Sequence, residues 1–191
     1  FSESHHVLCE VFTALNNGRL SILTEQNKEI SLAQSLVVHV GAQPLDLRLG
    51  RDELVRRLHG TAARRRDLMR SIDVEELWSL LESEGEGFDV RTLAEFVFAE
   101  ALTDHHAAAV QRVLFQDRLF FQFKDGLFYA RTPEKVEQRR VEIEREEERE
   151  SRLEAGAQWI QSVWNRKARP AIPDAHLGLI DSIKSFCLFS Q

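Results

Sequence analysis

The chain has 191 residues, 43% hydrophobic and 29% charged, with a net charge of −6. That is ordinary globular composition and excludes a disordered chain, while the overall basic charge usual in dedicated nucleic-acid binders is absent. No apolar run reaches the ~18 residues that a membrane helix requires.

Residues 5–43 read as β. Val7, Cys9, Val11 and Thr13 alternate with Leu8, Glu10 and Phe12. Asn16-Asn17-Gly18 is a hairpin turn, because Asn and Gly tolerate the positive φ of primed turns. Leu20, Ile22 and Thr24 continue the alternation, residues 25–29 are polar, and residues 36–40 form a last apolar run ended by Gly41. Several short strands at this spacing predict a small open β barrel of SH3-like size.

Residues 44–72, after Pro44, predict a helical connector. Leu54, Val55, Leu58, Ala62, Leu68 and Met69 recur at near-helical spacing. Arg56, Arg57, Arg64, Arg65 and Arg66 fall largely on the opposite face.

Residues 73–131 carry the pattern of a winged helix-turn-helix. Asp73 caps a helix over 74–81, the break at 85–87 leads to a helix over 90–101, and Thr103-Asp104 opens a third over 105–116. Two short β runs, 119–123 and 127–130, flank a Lys124-Asp125-Gly126 turn. Such modules present one helix and a hairpin to a nucleic acid or a partner protein.

Residues 132–169 predict one long charged helix. Thr132 and Pro133 suit its cap and first turn, and its apolar residues are too sparse for a coiled-coil seam. Residues 170–191 predict a last amphipathic helix, expected to lead on into a catalytic domain. The fold class is thus α+β: a small SH3-like β barrel, then a mainly helical region with a winged helix-turn-helix, then the long charged helix.

Catalytic chemistry is not legible. There is no nucleophile elbow and no Gly-rich phosphate loop. The adjacent pairs His5-His6 and His105-His106 cannot easily share a metal, and no HxxxH spacing occurs. Cys9 and Cys187 stand far apart without metal or disulfide spacing, which fits a reducing compartment and a cytoplasmic setting. No catalytic residue, metal site or cofactor is expected in the chain, and no membrane partner. The candidate nucleic-acid contacts are the five arginines above, with Gln111, Arg112 and Arg118 on or just after the third helix and Lys124 and Arg131 on the wing. These types reach phosphates and base edges. They equally suit a solvated helix face.

Several stretches carry a resemblance. The β region ends in Leu36-Val37-Val38-His39-Val40, and Leu45-Asp46-Leu47-Arg48-Leu49 and Asp52-Glu53-Leu54 follow it. Asp73-Val74-Glu75-Glu76-Leu77-Trp78, Phe115-Gln116-Asp117-Arg118-Leu119-Phe120-Phe121 and Pro133-Glu134-Lys135-Val136-Glu137 come later. Together they resemble the region ahead of the catalytic domain in a subgroup of bacterial ribonuclease II (RNB-domain) exoribonucleases. The resemblance implies a parent enzyme that degrades RNA from the 3′ end, with magnesium held by an aspartate cluster. That cluster's motif is not in this chain, so Mg2+ is expected only in a catalytic domain outside it. Better-known members begin with cold-shock domains bearing stacking aromatics, whereas the β region here has only Phe12 among its strands. The expected role is to bind and guide single-stranded RNA. A protein-interaction scaffold and a winged-helix DNA-binding regulator are the alternatives.

Overall fold

The computed structural model describes residues 10–14, 19–37, 39–41, 44–46, 48–98, 102–166 and 173–189. It divides into two units, Phe1–Val136 and Glu137–Gln191.

In the first unit, β1 (Glu10–Ala14), β2 (Arg19–Thr24) and β3 (Glu29–Ala33) form an antiparallel meander in that order. Leu20, Ile22 and Thr24 alternate inward along β2, as a half-buried strand requires. The Arg19 guanidinium reaches across to the hydroxyl and carbonyl oxygens of Ser31. Asn27, at φ 60°, turns the chain between β2 and β3.

Among the described residues this is a small open sheet, and a closed SH3-like barrel is not shown. The predicted strand over 36–40 is not found among the described residues, and residue 38 lies outside them. Gln34–Leu36 winds into a 3-10 turn, with the Val37 amide donating to the Gln34 carbonyl. Residues 37, 39 and 40 pair with no strand, and Leu36 and Val40 are 62% and 64% exposed. An apolar run becomes a strand only where an edge accepts it. The predicted Asn16-Asn17-Gly18 turn lies outside the described residues.

Helix α1 (Arg51–Met69) follows Gly50, with Asp52 and Glu53 in its first turn, where negative charge suits the helix dipole. Its Leu58 and Ala62 meet Leu23 of β2 and Leu45. The same helix packs against α4 (Asp104–Gln116).

The remaining elements of this unit are α2 (Val74–Leu81), β4 (Gly87–Phe88), α3 (Val90–Val97), β5 (Phe121–Lys124) and β6 (Leu127–Ala130). The second sheet has the order β4-β6-β5, so the wing hairpin is joined by a strand from before α3. Asp125 (φ 52°) and Gly126 (φ 85°) both take positive φ between β5 and β6, the requirement of a primed hairpin turn. Helix α3 stops at Val97, short of the predicted residue 101. Phe98 turns extended and sets its ring 4.6 Å from that of His106 on α4. The core gathers Leu77, Leu81, Leu93, Val110, Leu114, Phe121 and Phe128. Trp78 on α2 donates its indole N–H to the Arg131 carbonyl at the foot of the wing (2.7 Å).

Asp89 caps α3. It accepts from the Arg91 and Thr92 amides at 2.8 and 3.1 Å and from the Thr92 hydroxyl at 2.8 Å. These bonds, the Thr92 hydroxyl's first, hold its carboxyl below the ordinary aspartate range. Asp89→Ala is expected to cost about 1 kcal/mol at neutral pH, the typical value of such a cap. The carboxylate's charge-dependent contribution is present above the ordinary aspartate pKa and is lost as pH falls through the lower folded value. Urea unfolding at pH 7 and pH 3 checks this: the gap between wild type and variant should narrow in acid.

Helix α5 (Pro133–Arg166) begins with Val136 buried and its amide donating to the Thr132 carbonyl. Within the second unit, Arg139 pairs with Glu142 at 2.9 Å and Glu146 at 3.2 Å along the helix. A 3-10 turn (Asp174–His176) leads into α6 (Leu177–Phe189), and the Trp159 and His176 rings lie 5.4 Å apart.

Candidate nucleic-acid interface

The arginine face of α1 is the strongest concentration of positive charge among the candidates. Arg56, Arg57, Arg64 and Arg66 are exposed, and Arg65 is half-buried. Arg57 Nε lies 3.0 Å from Glu53 Oε1 and Arg56 2.5 Å from Oε2, so one carboxylate is shared by two guanidiniums. Arg57, by its hydrogen bond, and Arg56 hold the Glu53 carboxyl below its ordinary value. Arg66 lies 3.7 Å from Glu25 at the β2–β3 turn. Among the described residues, no carboxylate forms an ion pair with Arg64. Exposed pairs of this kind stabilise weakly and exchange readily for other anions.

On α4 the sequence expectation is corrected. Helical periodicity puts Gln111 and Arg112 among the candidate contacts, but they are only 3% and 8% exposed. Arg112 donates to the Ala108 carbonyl at 3.0 Å. The reason is that α1 and α3 both pack on α4, which buries every residue from 107 to 112. Neither side chain is available to a nucleic acid. In helix-turn-helix proteins the second helix of the motif enters the groove; here the middle of that helix is covered.

The wing places its candidates differently. Lys124 is exposed near the turn, 4.0 Å from Asp125, and Arg118 is exposed where α4 gives way to β5. Asp117 directs the start of β5: its carboxylate accepts from the Leu119, Phe120 and Phe121 amides. Arg131 is part of the frame. Its amide donates to the Phe120 carbonyl (2.8 Å), its Nε to the Leu119 carbonyl (3.1 Å), and its own carbonyl accepts from Trp78.

Three helices with a β strand ahead of the second, followed by a hairpin that takes up that strand, make a winged helix. Residues 61–135 match the family model described as ribonuclease II, winged helix domain. This region is ribonuclease II-like. No curated protein and no solved structure matches the chain. The ribonuclease II-like match begins inside α1 at Thr61 and ends at Lys135 in the first turn of α5. It therefore takes in Arg64, Arg65 and Arg66, which lie ahead of the 73–131 span read from the sequence. Among the described residues no group of three or more His, Cys, Asp and Glu could hold a metal ion. No described helix is long and apolar enough to cross a membrane.

One cluster has no counterpart in the sequence reading. His39, from the segment after the first sheet, and His105, at the start of α4, share an electrostatic neighbourhood with Arg65 of α1 and Asp104 of α4. Separate stretches of chain supply its members, and no sequence spacing signals it.

Proposed function

We propose that this chain is the RNA-binding, substrate-guiding amino-terminal region of a ribonuclease II-like 3′–5′ exoribonuclease, cytoplasmic and without catalysis of its own. The observation that carries this reading is the ribonuclease II winged helix match over residues 61–135. Single-stranded RNA would run along the exposed arginines of α1, with Arg118 and Lys124 as further phosphate contacts. Backbone contacts need charge and reach, which exposed arginines supply, and they need no groove-reading helix. That suits a module whose α4 is covered, and it counts against the DNA-regulator reading. Magnesium would belong to the catalytic domain, outside these residues. A protein-partner role is the second reading, favoured by Leu80 and Phe96, which stand exposed on α2 and α3.

Salt dependence tests the proposal. The logarithm of the affinity for a single-stranded RNA oligonucleotide should fall linearly with the logarithm of salt, by about 0.7 for each phosphate neutralised. Arg57 and Arg64 are seven residues apart on one face of α1. Arg57→Gln with Arg64→Gln should therefore weaken binding and reduce the slope by roughly 1.4, two contacts' worth. Fluorescence anisotropy from ~50 to ~200 mM salt reads both quantities. Absence of binding at the low end overturns the RNA reading.

A further inference from the structure

We propose that residues 39–41, α1 and the start of α4 meet in a proton-sensitive seam, where uptake of protons by His39 and His105 loosens the segment from the α1–α4 pair. The seam lies wholly within the first unit and does not depend on whether the module binds RNA.

The segment reaches the start of α4: a Cβ placed on Gly41 would stand 3.8 Å from Asp104 Oδ2. His39 faces Arg65 from α1, Asp104 and Arg112 from α4, and Arg91 from α3. His105 faces Arg64 and Arg65 from α1, with Asp104 and His106 beside it on α4. Asp104 is the one negative group among these, and it is also 3.9 Å from Arg91. A proton added to either imidazole therefore enters a neighbourhood that is already cationic.

Hydrogen bonding points the same way. Among the described residues, His39 Nε2 and His105 Nδ1 are buried and have no hydrogen-bond partner. A neutral imidazole can leave its lone-pair nitrogen in such a place, since only one ring nitrogen carries a hydrogen. An imidazolium carries a hydrogen on both. Protonation thus creates a charged N–H at a buried position where no described residue accepts it, and an unmade donor of that kind is costly. Burial, and then the charge of Arg65, accordingly hold both groups below the ordinary histidine value.

The sign follows from linkage. Above the ordinary histidine pKa both groups are neutral whether folded or unfolded, and stability is independent of them. As pH falls below ~6.5, the unfolded chain takes up protons that the folded seam refuses. Each group then raises the unfolding constant by up to about tenfold per pH unit, so the pair contributes up to about a hundredfold.

Two measurements on the 191-residue chain test the seam. In NMR titrations of the wild type, the His39 and His105 rings should titrate below a histidine model peptide, and the amides of residues 39–41 and the first turn of α4 should shift with the same midpoints. In urea, the wild-type midpoint should hold from pH ~8 to ~7 and fall between pH ~6.5 and ~5.5. His39→Gln with His105→Gln should flatten that fall. Either ring titrating at or above the model peptide overturns the seam, as does a folded double variant that keeps the whole acid loss. Should the double variant fail to fold, the wild-type titration decides by itself.

Discussion

Phe128→Ala is expected to destabilise the winged module by about 3–5 kcal/mol, the range for removing a fully buried aromatic side chain. Phe128 is 1% exposed, and its ring lies 5.4 Å from that of Phe115 and 4.8 Å from that of Phe123. In the sheet it stands at the middle strand, opposite Phe88 on one side and Phe123 on the other. Its removal therefore opens a cavity between the wing and α4 and abolishes two aromatic contacts at once, each worth about 0.5–1.5 kcal/mol beyond burial. Small domains hold only about 5–15 kcal/mol in reserve, so much of the stability should go. Urea unfolding followed by circular dichroism reads the loss. Phe123→Ala provides the comparison: that ring is 40% exposed at the edge strand, and its removal should cost less than half as much. Equal costs for the two would show that the wing closes the core no more tightly in the middle than at its edge.

Gly87→Ala is the second large effect, and its origin is steric. Gly87 pairs with Tyr129 across β4 and β6. A Cβ at this position would lie 2.5, 2.8 and 2.9 Å from three atoms of the Tyr129 ring. The nearest is Cζ, with a Cε to either side almost equally close, the pattern of an atom driven at the face of the ring. Contacts this short force the ring or the strand to move, at a typical cost of about 1–3 kcal/mol. A double-mutant cycle checks the cause: in a Tyr129→Ala background the same substitution should cost little, because the obstructing ring is gone. An equal cost in both backgrounds would place the strain in the backbone and refute the steric account.

The winged module is readable from residues whose signals are local. Asp73 ahead of apolar periodicity places α2, the apolar pattern after the break at 85–87 places α3, and Asp125-Gly126 between two aromatic runs places the wing. Strand β4 escapes because a strand of two residues, Gly87 and Phe88, has no period to detect; only its partner β6 makes it a strand. Residues 36–40 fail in the opposite direction. Their composition suits a strand, but whether an edge is free to receive them is a tertiary fact. The candidate interface divides along the same line. The α1 arginines can be assigned from one helix's own periodicity, whereas Gln111 and Arg112 cannot, since their burial comes from two neighbours packed on α4. Ala107-Ala108-Ala109-Val110 is the available signal: a stretch apolar all the way round belongs to a helix enclosed on every side. The histidine seam, drawn from separate segments, exists only once the chain is folded.

The bond from Trp78 to the Arg131 carbonyl gives the first unit an optical gauge of its own. Trp78 is the single tryptophan in residues 1–136, since Trp159 and Trp164 belong to the other unit. Its indole both anchors the base of the hairpin and lies 5.1 Å from the Phe120 ring. Detachment of the hairpin would strip that chromophore of its acceptor and its aromatic neighbour together. With Trp159 and Trp164 replaced by phenylalanine, emission from this one ring would report whether the base of the hairpin is in place as the first unit unfolds, with no attached dye.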